Sequence, residues 1–486
     1  MFGKKTLALF ALIAIAGVIW VMREDSDADV ARDLVRQKRR AETAEAVKEA
    51  SNAQLPDAFK LSETLIAQRD SPSDIWTVSR GDDQSFVELP FPPPLDGVLP
   101  AKIDSSLSDA SAPPVESDSE DTAPDESKGT TASQAISSAN PGYLGAAACA
   151  ECHPKKHGGF IETAHHRTSG LVEPGNIRGK FEGPGSRLQS GDPALSFDLF
   201  QRDDQLIQKL NFEDWQLEFP MDVFTGSAKT GQSMLYWHGD ALFQAHVSYL
   251  SGSDSWITSP GYRDTSVVYS RVIRTACLEC HMTFIDRKRT PNFYHRDSAI
   301  WGISCERCHG PGKDHVDHHR KNPKDKAGQF IVAPTSLPRQ QQLEICGQCH
   351  SGSFKLMKDA FTFVPGNDLE DYHKLYDSGS SGVGGIHTAN QLNRLSMSEC
   401  FKQSEMTCTT CHNPHQNQHG RTDLFTQACF KCHEVEHCGM SSKLGPSIAN
   451  DCIGCHMPTE ANEDMKDVAS GAFTIEMIDH YIRVPE

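Results

Sequence analysis

Two cysteines separated by two residues and followed at once by a histidine occur seven times in this chain. The segments are CAECH from Cys149, CLECH from Cys277, CERCH from Cys305, CGQCH from Cys346, CTTCH from Cys408, CFKCH from Cys429 and CIGCH from Cys452. This is the spacing that attaches a c-type haem. Each thiol forms a thioether to one vinyl-derived carbon of the porphyrin. The two intervening residues let one short turn span both carbons, and the histidine then lies over the iron as an axial ligand. The attaching thiols are Cys149 and Cys152, Cys277 and Cys280, Cys305 and Cys308, Cys346 and Cys349, Cys408 and Cys411, Cys429 and Cys432, and Cys452 and Cys455. The proximal ligands are His153, His281, His309, His350, His412, His433 and His456. Half of a zinc site or a thioredoxin-like redox pair would also use two cysteines, but neither needs a histidine next to them every time. Fourteen of the sixteen cysteines lie in the motifs, which makes seven covalent haem c groups the expected cofactors. The two middle letters touch little of this chemistry and read as nearly free.

Seven irons with seven proximal histidines leave fifteen of the 22 histidines over, enough to place a second imidazole on every iron. A bis-histidine iron is coordinatively closed and moves electrons, whereas an iron with an open face can bind a small molecule. The functional question is therefore which irons are closed.

The elements that must position these groups fall into regimes. Residues 1–22 open with MFGKK and continue as an unbroken apolar run from Thr6 to Met22. That length is close to the lower limit for a membrane span, and Lys4 and Lys5 put its front end in the cytoplasm. An uncleaved anchor is expected; cleavage after Ala14–Ala16 is the competing reading. Residues 23–100 form an expected stalk, partly helical, in which Val30, Leu34, Leu61, Leu65 and Ile66 loosely fit a helical period. Residues 101–140 are Ser, Asp, Glu, Ala and Pro with little to bury, an expected disordered acidic linker that would tether a redox head away from the membrane. Residues 141–486 form the haem domain, with roughly 49 residues per haem, too few for each haem to own a domain. A mainly α and irregular multihaem cytochrome c fold with a haem-packed core is expected. Its small β-rich insert spans 179–262, where alternating runs turn at RDD (Arg202–Asp204) and HGD (His238–Asp240).

The segment GISCERCHGPGKDHVDHH (Gly302–His319) resembles the central signature of the cytochrome c554 family, multihaem carriers associated with hydroxylamine oxidation. MTCTTCHNPH (Met406–His415), followed by CFKCH and CIGCHMP, resembles the C-terminal half of larger multihaem cytochromes that contain the same module. The resemblance spans most of residues 141–460. It implies that the histidine of GPGKDH ligates a neighbouring haem, which is His315, with His318 and His319 as local rivals. Seven motifs exceed the four haems of the c554 carriers, and no CxxCK motif of the pentahaem nitrite reductases is present. Position alone adds further distal candidates: His415 beyond a proline turn, His387, His165 or His166, and His437. His157, His238, His246 and His480 read as surface histidines, while His295, His373 and His419 stay unassigned. Met282 and Met457, next to proximal ligands, read as packing. The leftover Cys400 and Cys438 are expected to pair in an oxidising compartment.

The side chains carry a net charge of −18, which disfavours nucleic acid and anionic membrane surfaces as partners. Redox donor and acceptor proteins, or a quinol-linked membrane complex, fit better. Covalent haem attachment takes place outside the cytoplasm, so a periplasmic, N-terminally anchored location is expected. The expected function is an electron carrier with no catalytic residue. The alternative is a multihaem oxidoreductase with one open haem acting on a small nitrogen or sulfur compound, with Arg307 or Lys313 beside the iron.

Overall fold

A computed structural model describes residues 65–70, 75–80, 85–91, 93, 140–289, 291–376, 389–466 and 474–485. The expected anchor at 1–22, the helical stretch before Leu65 and almost all of the acidic linker lie outside the described residues. Among the described residues no helix is long and apolar enough to cross a membrane.

Strand outweighs helix, 30% against 26%, so the expectation of a mainly α fold is corrected. The first strands come from the expected stalk. β1 (Leu65–Asp70), β2 (Ile75–Arg80) and β3 (Phe86–Leu89) form an antiparallel meander. Leu65 and Ile66, which fit a loose helical period, lie in β1 instead. The deciding pattern is a period of two: Val87 and Leu89 are fully buried while Phe86 and Glu88 are half-buried.

Beyond the first haem motif come β4 (Ser169–Leu171), β5 (Arg187–Gln189), β6 (Leu195–Arg202), β7 (Gln205–Phe212) and β8 (Trp215–Pro220). β5 to β8 make one antiparallel sheet. The RDD turn joins β6 to β7, with Asp203 at φ 52°, and Glu213 at φ 55° repeats the device between β7 and β8. Such two-residue hairpin loops need left-handed backbone. β9 (Val223–Thr225), β10 (Gly231–His238), β11 (Ala241–Leu250), β12 (Ser255–Thr258), β13 (Ser266–Val268), β14 (Met282–Arg289) and β15 (Phe293–Trp301) follow. All of these except β13 join β4 in a second sheet, and β13 lies parallel to β3. The strands thus run from Ser169 to Trp301, beyond the expected 179–262 on both sides, and they recruit residues 65–89. Alternation in β8 shows why they pack: Trp215, Leu217 and Phe219 are buried, Gln216 is exposed and Glu218 half-buried. Phe219 stacks on Tyr269 with ring centroids 3.7 Å apart.

The haem-bearing remainder is short helix and loop with two small antiparallel pairs, Phe354–Leu356 with His373–Leu375 and Thr459–Lys466 with Thr474–Ile478. Its longest helix, Arg339–His350, has 12 residues and ends on the fourth motif. Gly310, at φ 85°, stops the helix Glu306–His309 directly after the third.

Candidate functional site

Each attachment segment is one tight turn. The amide of His153 donates to the Cys149 carbonyl at 2.9 Å, and the same bond recurs from His309 to Cys305, His412 to Cys408 and His433 to Cys429. A turn of this pitch puts residues three and four apart on one face, so both thiols and the imidazole share a side.

The segments also touch one another. The thiols of Cys149 and Cys305 are within hydrogen-bond reach, as are Cys280 and Cys349, Cys346 and Cys408, and Cys429 and Cys452. Cys308 lies close to Cys349, and Cys429 to Cys411. By motif, the first meets the third, the third the fourth, the fourth also the second and fifth, the fifth the sixth, and the sixth the seventh.

Four proximal or distal candidates face a second imidazole. Ring centroids are 6.4 Å apart for His153 and His315, 6.1 Å for His165 and His350, 6.1 Å for His309 and His415, and 6.2 Å for His412 and His480. Two metal–imidazole bonds of about 2.0–2.1 Å, plus about 1 Å from each nitrogen to its ring centre, require roughly 6 Å between the rings of a bis-imidazole iron. The residues present therefore fit the group. In every pair one Nδ1 is engaged, which leaves Nε2 as the metal-binding lone pair. His315 Nδ1 donates to the Gln329 carbonyl at 2.7 Å, and His309 Nδ1 to the Val332 carbonyl at 2.8 Å. His350 Nδ1 donates to Gln391 Oε1 at 2.8 Å, and His480 Nδ1 to the Ile478 carbonyl at 3.2 Å. His456 Nδ1 likewise donates to the Arg483 carbonyl at 2.9 Å, and His281 Nδ1 lies 3.1 Å from Thr168 Oγ1. Burial, then the charges of His350 and His412, lowers His165 to about 4, and burial followed by His412 does the same to His480. Both rings stay neutral, the form that binds metal. Among the described residues no three His, Cys, Asp or Glu side chains gather to hold a bare ion. Pairs suit an iron whose other four ligands are porphyrin nitrogens.

Other candidates are not brought opposite a proximal ligand. His166 packs on Phe160, 5.8 Å between centroids, and its buried Nδ1 has no partner. His437 is exposed beside Glu434. His387 lies outside the described residues. The Nε2 of His318 is taken by Asp325 at 2.9 Å, and His319 packs against His315 at 4.5 Å. His480, read as a surface histidine, faces His412; its only sequence signal was an adjacent Asp479 in an apolar strand end. Cys400 and Cys438 are not bonded to each other. Cys400 lies near Cys432 of the sixth motif, and Cys438 near Cys452 of the seventh.

The middle letters of three motifs are not free. Glu279, from the second, pairs with Arg307, from the third, at 2.8 Å, and both side chains are at most 2% exposed. Glu279 Oε2 accepts the Phe361 amide at 2.7 Å. Glu306 accepts the amides of Leu144, Gly145 and Gly312 at 2.8 to 2.9 Å. Gln348, from the fourth motif, donates to the Arg307 carbonyl at 3.0 Å. Burial works against the charge on Arg307, but Glu279 holds its pKa above the ordinary value. Arg307 is thus a buried partner of Glu279, and Lys313 is exposed and bonded to Asp317 at 2.7 Å, so neither matches the substrate-side role.

The family model for cytochrome c554 and c-prime matches residues 258–310, which contain the second and third motifs. The multihaem cytochrome MtrA of Shewanella baltica (strain OS185) is 23% identical over 177 residues, 31% of this chain and 46% of the relative. The match thus spans less than half of that relative. The outer cell wall cytochrome OcwA is 19% identical, with 70% of this chain and 79% of that one covered at a TM-score of 0.46. For the undecahaem cytochrome from the S-layer of Carboxydothermus ferrireducens the values are 15%, 71%, 52% and 0.30. The attachment segments, the family-model match and the likeness to MtrA together support a multihaem c-type cytochrome with covalently bound haem.

Proposed function

We propose that the chain is an extracytoplasmic heptahaem electron carrier, anchored to the membrane by residues 1–22, whose haems are closed by two imidazoles each. The observation that carries this reading is the facing of imidazoles at 6.1–6.4 Å in four pairs. His315, His165, His415 and His480 are the distal ligands of the first, fourth, third and fifth haems. Thiol pairs, with the hydrogen bonds of Gln348 to the Arg307 carbonyl and of Lys431 to the Thr410 carbonyl, bring successive segments together and support an unbroken path from the first haem through the third, fourth, fifth and sixth to the seventh, with the second as a side branch on the fourth. When bound, the haems supply one-electron chemistry. The polypeptide holds the imidazoles neutral and oriented, and keeps attachment sites adjacent. The net charge of −18 favours basic carriers or a quinol-linked membrane complex as partners.

The second reading, an enzyme with one open iron, is favoured by one observation. Among the described residues no second imidazole ring faces His281, His433 or His456. Both readings meet in one experiment: haem counting by intact mass, with low-temperature electron paramagnetic resonance on the oxidised protein. Seven haems, all low-spin and indifferent to nitrite or cyanide, support the carrier. A high-spin iron, about one in seven, that shifts on adding those ligands replaces it with the enzyme.

A further inference from the structure

The second, third and fourth attachment segments meet around one buried cation. Arg307 is 3% exposed, and its Nη2 donates to Glu279 Oε1 at 2.8 Å and to the Glu279 carbonyl at 3.1 Å. Nε and Nη1 have no acceptor within the polypeptide. The Cys349 thiol and Tyr143 lie beside it, and its plane sits 5.7 Å from the Phe361 ring centroid. Arg307 stands between Cys305 and Cys308, and Glu279 between Cys277 and Cys280, so each charge is one residue from a haem-bearing thiol. Cys280 and Cys308 both border Cys349. A unit charge in so dry a place is weakly screened. Reducing ferric to ferrous iron removes one positive charge, so a nearby cation favours the reduced form and a nearby anion the oxidised form.

We propose that the Arg307–Glu279 pair sets the reduction potentials of the haems on the second, third and fourth motifs, holding them near balance by placing opposite charges at the point where the path branches. This rests on the carrier reading, because it needs haems at these segments. Arg307 and Glu279 are positioning and field-setting residues; neither ligates iron.

The test is potentiometric titration of the full-length haem-loaded protein, followed by visible absorption. Glu279→Gln leaves an uncompensated cation and raises the midpoints of about three of the seven haems. Arg307→Gln leaves an uncompensated anion and lowers the same fraction. The double variant returns the curve towards wild type. Shifts of the same sign in both single variants, or no shift in either, overturn the proposal. Removing a buried partner is costly to folding, so Glu279→Asp and Arg307→Lys are titrated alongside. These disturb packing while conserving charge and leave the midpoints within the scatter of wild type. A shift in them as large as in the neutral variants assigns the effect to packing and overturns the proposal. The haem count and spin state of wild type test the carrier reading separately.

Discussion

The β module and the C-terminal haem region bury their interiors with different material. In the module, alternating strands place Leu195, Phe197, Phe212, Leu217, Phe219 and Tyr269 in one continuous apolar cluster that also takes in Val87 and Leu89 from the N-terminal meander. Among the described residues from Arg339 onward, the apolar cluster built within the stretch itself is Leu343, Leu395 and Phe401, while Phe361 and Ile475 join clusters with residues of the strands. That stretch nevertheless carries four attachment segments. One region has a core made of side chains; in the other, haems on the four segments, as proposed above, would supply most of what the chain wraps. The comparison teaches that the C-terminal region, on the proposed haem count, depends more on its haems for a core than the β module does.

The largest test of this contrast withholds the haem. Protein produced without haem attachment should keep the β module protected from protease, while residues 389–485 are cut within the time needed to nick an unfolded control. Equal protection of both regions, read by mass spectrometry of the fragments, would sink the contrast. Next in size, Phe219→Ala should cost about 3–5 kcal/mol in denaturant unfolding of the module and leave the haem absorption bands unmoved. A band shift would show that the regions are coupled through their interiors. His480→Ala acts in the opposite direction: about one haem in seven becomes high-spin, and the unfolding midpoint of the module stays put. An unchanged spin spectrum would remove His480 as a ligand.

The smallest effect concerns acid. Burial alone would raise the pKa of Asp479, yet hydrogen bonds from Arg394, the Tyr481 amide and Arg483 bring it down to about 2. An unfolded aspartate titrates near 3.9, so the folded state binds fewer protons between those values. The resulting stability is present above about pH 4 and is lost as pH falls towards 2. Acid titration of the C-terminal region should lose slope in that window in Asp479→Asn, and an identical slope would show that the two arginines do not act through it.

What could be read from the sequence was local. The spacing of Cys149, Cys152 and His153 is a single turn of chain, and it states its own chemistry. His315, His165 and His415 were singled out by a family resemblance or a neighbouring turn, and each stands opposite a proximal histidine. His480 was not, because facing His412 depends on how a distant strand end is braced by Arg394 and Arg483 on Asp479. The pairing of Glu279 with Arg307 was hidden for the same reason: each letter is unremarkable within its own motif, and the bond appears only when two motifs meet. Leu65 and Ile66 misled in another way. A charged, alanine-rich stretch ahead of them suggests helix, but the antiparallel pairing with Ile75–Arg80, in which Leu65 meets Arg80 and Ile66 meets Ser79, makes the segment strand.

The docking of β3 has one more consequence. Phe91 packs on Phe219 and His238, with centroids 5.8 Å and 5.0 Å away. At the other end of the acidic stretch, the Asn140 side chain donates to the Tyr143 carbonyl at 2.9 Å. The stretch therefore leaves and rejoins the same folded body, and a leash with both ends tied to the dog has no length. If residues 1–22 hold the chain to a bilayer, how far the haems can swing from it is fixed by the roughly forty residues before Leu65, at most about 140 Å of extended chain. Shortening the acidic stretch would change the charge around the body and leave that radius as it is.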